Sequence, residues 1–257
     1  MPEREIRVPT PDGEMKTFVV HPDSAEPLPV AVLFMDGVGY REQIKANARR
    51  FAAAGYYCVA PDLFYRAGDG VTVDFAKVQA EGPDGPAAQQ LRKAISEVTP
   101  EHLATDTRAL LDAVAGDPAA SPGPKVCVGY CMGVRAALRA AAALPDEFVA
   151  AAGIHPGPLV TDQADSPHRD LGSVRGELYF AFSENDRADT AAGSEALRQE
   201  MGRHAVRGEV ERLAGTTHGF AMADLPVYDR DASERHFERT LELWRRNLAR
   251  EASKQPV

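Results

Sequence analysis

Only three cysteines occur in 257 residues, at positions 58, 127 and 131. So small and odd a number fits a reducing compartment better than a disulfide framework. Cys127 and Cys131 do not form a C-x-x-C pair, and on a strand and the turn after it they offer no tetrahedral metal site. No run of about 18 apolar residues is present, which excludes an apolar membrane-spanning helix. The opening Met-Pro-Glu-Arg-Glu-Ile lacks the apolar stretch of a secretory signal, so a cytoplasmic location is expected. Basic residues are outnumbered 38 to 29, a formal charge of −9. That balance argues against nucleic acid or an anionic membrane surface as the main partner. Internal repeats, low-complexity segments and any G-x-S-x-G are also missing.

What remains is a chain whose 44% hydrophobic content can fill one sizeable core. Short apolar runs at 18–20, 30–35, 56–60, 126–130, 149–154 and 178–182 read as strands. Amphipathic helices fall between several of them. Ile44, Ala48 and Phe51 share one face, with Gly55 as the stop. Thr99 followed by Pro100 reads as a cap and first helical residue, leading into Leu103, Thr107, Leu110 and Val114. A last helix carries Phe237, Leu241, Trp244 and Leu248 as its stripe, with Asp231 and Glu234 as its expected capping pair. This alternation predicts an α/β fold with a mostly parallel central sheet and helices on both faces. Thr10-Pro11-Asp12-Gly13 predicts an N-terminal antiparallel hairpin before it. Residues 1–257 read as a single domain, and the Gly-, Asp- and Pro-rich stretch 67–100 reads as a flap beside the ligand-binding edge of the sheet.

Gly129-Tyr130-Cys131-Met132-Gly133 follows a strand and precedes an alanine-rich, helix-favouring run. Strand, G-x-nucleophile-x-G and helix make a nucleophile elbow. The turn is sharp, so the flanking residues must be small. The following helix N-terminus favours a negative sulfur, and the Met132 N–H points where an oxyanion would form. A chance G-x-C-x-G arises in roughly 0.02 of shuffled chains of this composition, so the pattern favours a working thiol at Cys131. The bland alternative, a buried structural cysteine, suits Cys58 and Cys127 inside their apolar runs.

A thiol nucleophile needs a base, and the base needs an orienting acid. In this fold class both follow the nucleophile in the order acid, then histidine. Ser183-Glu184-Asn185-Asp186 ends one strand, and Thr216-Thr217-His218-Gly219-Phe220 ends another. Asp186 is therefore the expected acid, with Glu184 and Asp189 as rivals, and His218 the expected base. Of the other histidines, His102 opens a helix, whereas His21, His168, His204 and His236 read as solvated. His155 follows a strand and is a candidate for lining the pocket, as are Phe220 and Met222.

With Cys131, Asp186 and His218 in this order, the chain resembles the dienelactone hydrolase family of the α/β-hydrolase fold. The resemblance spans nearly the whole length. It rests also on Phe34-Met35-Asp36-Gly37-Val38-Gly39, Gly55-Tyr56 and Ala60-Pro61-Asp62-Leu63. It implies hydrolysis of a small-molecule ester or lactone through a Cys-His-Asp triad and an acyl-cysteine, with no metal or organic cofactor. It implies a second oxyanion N–H at Gly37. It also implies a thiol-modulating carboxylate, usually glutamate and here Asp36. Met222 stands where chlorocatechol-pathway members carry a substrate-binding arginine. A monomer or small homo-oligomer is expected.

Three other readings compete. A thioesterase or acyltransferase would use the same triad, and a non-catalytic relative would keep the fold for ligand binding. Gly37-Val38-Gly39 also resembles part of a dinucleotide fingerprint, but its third glycine position holds Glu42, whose carboxylate would meet a pyrophosphate.

Overall fold

The computed structural model describes residues 1–82, 84–186 and 191–254, apart from the side chains of residues 75, 76 and 79. Eight strands form one sheet: β1 (Glu3–Thr10), β2 (Gly13–Val20), β3 (Val30–Phe34), β4 (Tyr57–Pro61), β5 (Lys125–Tyr130), β6 (Phe148–Ile154), β7 (Glu177–Asn185) and β8 (Gly208–Thr217). Their spatial order is β1-β2-β4-β3-β5-β6-β7-β8. Strand β2 pairs antiparallel with both β1 and β4, and every other pairing is parallel. The expected leading hairpin is therefore present, turning at Thr10 and Gly13.

Central strands are buried on both faces, so β3, β4 and β5 read as continuous apolar runs without alternation. Helices α1 (Glu42–Ala53) and α7 (Arg230–Ala252) cover one face, where Phe51 meets Phe237 and Trp244 at ring distances of 4.7 and 4.6 Å. Helices α4 (Pro100–Val114) and α5 (Gly133–Ala143) pack together on the other face, and α6 (Ala191–Arg203) packs on the outermost strand β8. Among the described residues no helix is long and apolar enough to cross a membrane.

Helix ends follow local chemistry. Thr99 caps α4 by accepting the His102 N–H at 3.2 Å, as its sequence predicts. Gly55 ends α1 with φ +100° and donates to the Ala52 carbonyl. Helix α7 departs from expectation. Its cap is Asp229, whose carboxylate accepts the Ala232 N–H at 3.0 Å, so Asp231 and Glu234 lie inside the helix. The expected stripe is present, with Phe237 and Trp244 buried and Leu241 and Leu248 partly buried against the core, and Leu243 joins it.

The stretch 67–100, expected as a flap, contains α2 (Phe75–Glu81) and α3 (Pro86–Ser96). It lies against the loop between β3 and α1. The Val73 N–H donates to the Val38 carbonyl, and the Leu91 side chain lies over Gly37.

Candidate active site

Strand β5 ends at Tyr130 and α5 begins at Gly133, so the chain reverses within two residues. Cys131 takes the strain, at φ +54° in the left-handed region that side chains avoid. Two hydrogen bonds hold it there: its N–H donates to the Ile154 carbonyl at 3.0 Å, and its carbonyl accepts the Val134 N–H at 3.2 Å. Both flanking glycines are needed. A Cβ on Gly129 would lie 2.0 Å from the Gly133 oxygen, and one on Gly133 would lie 2.4 Å from the Met35 oxygen. The crowding leaves the thiol projecting, and Cys131 is partly exposed while Cys58 and Cys127 are buried.

Loops after β7 and β8 bring Asp186 and His218 to that thiol. His218 Nδ1 is 2.7 Å from Asp186 Oδ2, and His218 Nε2 is 3.0 Å from Cys131 Sγ. The Ser183 hydroxyl donates to the same Asp186 oxygen at 3.0 Å, fixing the buried carboxylate. Burial pulls the His218 pKa down. Hydrogen bonds to Asp186 and Cys131, and the negative charge of both, outweigh it and push it up to about 10. Glu184, a rival acid by sequence, instead accepts the Gly215 N–H at 2.8 Å. Asp189, the other rival, lies outside the described residues.

Asp36 shapes the loop facing the thiol. Its Oδ1 accepts the Val38 N–H at 3.1 Å, and its carbonyl accepts the Gly39 N–H at 3.1 Å. That tight turn leaves the Gly37 N–H without an acceptor among the described residues, and the Met132 N–H is likewise unspent. Gly37 and Met132 are neighbours, since a Cβ on Gly37 would lie 4.0 Å from Met132 Sδ. The Asp36 carboxylate is bound from behind by Arg41, at 2.6 and 3.1 Å, and no hydrogen bond joins it to Cys131. Burial raises the Asp36 pKa, and the Arg41 charge opposes the rise.

Cys131, His218, Asp36 and His155 share the wall of an open cavity of about 350 Å³, whose remaining lining is mainly Val38, Leu225, Pro226 and Val227. His155 is fully buried at φ +40°, with its ring edge-on to His218 at 5.3 Å. Burial, and then the nearby His218 and His236, hold its pKa well below the usual imidazole range. Phe220 and Met222, expected at the pocket wall, lie instead in the core. Phe220 packs behind His155 at 5.3 Å, and Met222 contacts the Asn47 amide at 3.9 Å through its sulfur. The chain turns inward there because Phe220 and Met222 cap successive turns closed by Thr217 and Gly219. His236, read as solvated, is also fully buried, between Tyr130, Phe220 and Phe237. It shares the buried face of α7 with Thr240, Leu243 and Asn247. Arg41 is the site-proximal residue that sequence reasoning missed. Its partners are five and 183 residues away, and only the nearer one falls within reach of a local pattern.

Several known proteins are similar to this chain. A protein of Synechocystis sp. named "Putative carboxymethylenebutenolidase" is 22% identical over 248 residues, covering 95% of this chain and 96% of its own. One of the same name from Escherichia coli K12 is 24% identical over 246 residues, covering 93% of this chain and 84% of its own. The crystal structure of a "Putative Dienelactone Hydrolase" from Klebsiella pneumoniae superposes with a TM-score of 0.82 at 20% identity, over 94% of this chain and 97% of that one. At that identity the likeness speaks for the fold, which is that of the α/β-hydrolases. Residues 15–248 match the model of the dienelactone hydrolase family, nearly the whole sheet with its elbow, and the chain belongs to that family.

Proposed function

We propose that this protein hydrolyses carboxylic ester or lactone bonds through an acyl-cysteine at Cys131. The observation that carries the reading is the hydrogen-bonded line from Asp186 through His218 to Cys131, ending on a sulfur held at left-handed backbone. Family membership and the names of the relatives support the same bond class. We also read residues 1–257 as one domain, because all eight strands share a single sheet.

In this reading the Cys131 sulfur, as thiolate beside protonated His218, attacks the carbonyl carbon. Negative charge moves onto the carbonyl oxygen, and the unspent N–H groups of Met132 and Gly37 receive it. Those donors act on the transition state, since the charge is absent from the ground-state ester. The carbon–oxygen bond breaks, and the leaving alkoxide takes the proton from His218 Nε2. Water then loses a proton to Nε2 and attacks the thioester, and the thiolate departs. Asp186 holds Nδ1 protonated throughout, which keeps Nε2 directed at the sulfur. The apolar cavity walls accommodate the hydrocarbon part of the substrate. Asp36 contributes by building the turn that presents the Gly37 N–H.

The test is a panel of p-nitrophenyl esters, lactones and thioesters, offered to wild type and to Cys131→Ala. Turnover of esters or lactones that disappears with the thiol supports the proposal. Activity untouched by Cys131→Ala overturns the nucleophile, and an inert wild-type protein favours a ligand-binding role for the fold.

A further inference from the structure

The charged groups on the cavity wall have unusual partners, and these set what kind of ester fits. Asp36 is the acidic residue on the described wall, and no lysine or arginine stands among the described residues that line it. The cation behind Asp36 is Arg41, and its guanidinium is fully committed. Nη1 donates to Asp36 Oδ1 at 2.6 Å and to the Gly39 carbonyl at 3.3 Å. Nη2 donates to Asp36 Oδ2 at 3.1 Å and to Asp224 Oδ1 at 3.0 Å, and Nε donates to Asp224 Oδ2 at 2.6 Å. A guanidinium has five N–H donors, and all of them are taken. Two carboxylates on one guanidinium leave the group with one net negative charge. Asp224 is more than a third exposed and adjoins Leu225 of the cavity rim, so that charge is felt at the mouth. Apart from Asp36 and the Cys131, His218 and His155 side chains, the wall is mainly hydrocarbon, and Val227 is exposed at the rim.

From this we infer that the pocket selects uncharged esters or lactones with an apolar acyl or alcohol group and discriminates against substrates bearing a carboxylate. A carboxylate entering the cavity would meet the negative Asp36–Arg41–Asp224 group and find no donor left on Arg41 to bind it. It would also lose its hydration against Val38, Leu225 and Pro226 without compensation. An uncharged substrate has neither cost. Asp224 is the specificity-determining residue, because it takes the two guanidinium donors that Asp36 and Gly39 leave, one on Nε and one on Nη2. The inference rests on the ester or lactone hydrolase reading for its chemistry, though the charge of the pocket can be measured without that reading.

Two matched pairs of reagents test it. The first is p-nitrophenyl butyrate against p-nitrophenyl hemisuccinate, which differ chiefly in a terminal carboxylate, with spontaneous hydrolysis subtracted. Wild type is expected to favour the butyrate by about tenfold or more in kcat/KM. Asp224→Asn is expected to narrow that ratio on the order of three- to tenfold, the contribution of one unit charge at a partly exposed rim, and added salt to narrow it as well. Equal turnover of both esters, a preference for the hemisuccinate, or a ratio unmoved by Asp224→Asn overturns the selectivity while leaving the hydrolase reading intact. If wild type turns over neither ester, the wider panel of esters, lactones and thioesters decides the hydrolase reading, and the second pair decides on pocket charge. Cys131 is alkylated with iodoacetamide or iodoacetate. Asp224→Asn should raise the iodoacetate rate relative to the iodoacetamide rate by a similar factor. An unchanged ratio overturns the inference.

Discussion

A Cβ on Gly133 would fall 2.4 Å from the carbonyl oxygen of Met35, so α5 and the end of β3 can approach only through glycine. That approach sets Met132 beside Gly37 and brings two unspent N–H groups to one place. Gly133→Ala must therefore push the elbow away from the β3–α1 loop. We expect a loss of about 1–3 kcal/mol, typical of overpacking, and a larger relative loss of activity. Urea denaturation of the variant beside wild type, with esterase assays on the folded fraction, checks both effects.

Burial separates the three thiols. Cys58 and Cys127 are fully buried, and burial pushes both thiols well above the ordinary range. Cys131 stands partly exposed beside His218. Brief iodoacetamide treatment of the native protein near neutral pH should label one cysteine, and peptide mapping should find it at 131. Labelling of all three at similar rates would contradict the burial.

In the proposed mechanism Asp186 acts on the thiol through His218. Asp186→Asn keeps the shape but presents an amide to Nδ1, which favours the wrong tautomer. Activity is expected to fall roughly 10²–10⁴-fold, carried by kcat with KM little changed. Steady-state kinetics with one neutral ester separates the two parameters, and a change confined to KM would argue that Asp186 shapes binding instead.

His236 gives the fold an acid-sensitive point. Burial, then the Arg50 charge, hold its pKa down to about 3, against about 6.5 in an unfolded chain. The unfolded state thus binds more protons, so stability is fully present above about pH 6.5. It is lost as pH falls towards about 3, by up to about 1.4 kcal/mol per pH unit from this one group. Neither ring nitrogen has a hydrogen-bond partner among the described residues, so His236→Phe forfeits no bond. The variant should match or exceed wild type at neutral pH, and the gap should widen on acidification. Thermal melts from pH 7 to pH 4 measure this, and parallel curves would show that His236 does not titrate on unfolding.

His218 has the opposite sign. Its folded pKa of about 10 lies above the unfolded value. Its contribution is present below about pH 6.5 and fades as pH rises towards about 10. Relative to His218→Gln, wild type should lose its stability advantage over that alkaline range, as urea midpoints at pH 7, 8.5 and 10 would record.

Much of the fold and of the site is legible in the sequence alone. Strands buried on both faces announce themselves as short apolar runs, and Thr99-Pro100 and Gly55 mark helix ends through local chemistry alone. The elbow was legible because its glycines answer a steric demand within five residues. What stayed hidden depends on distant partners. Arg41 reads as an ordinary polar residue at a helix start until Asp224 arrives from 183 positions away. His236 sits among polar neighbours in the sequence, yet helical spacing puts it on the buried face of α7 with Thr240, Leu243 and Asn247. Phe220 and Met222 adjoin the proposed base, yet tight turns after His218 aim them at the core.

The central claim is that Cys131 carries the acyl group. A reaction of wild type with p-nitrophenyl butyrate, quenched in acid within the first turnovers and digested, should yield the peptide containing Cys131 heavier by one butyryl group. The adduct should be absent in Cys131→Ala. A butyryl group on any other residue, or an adduct that persists without the thiol, would contradict the account.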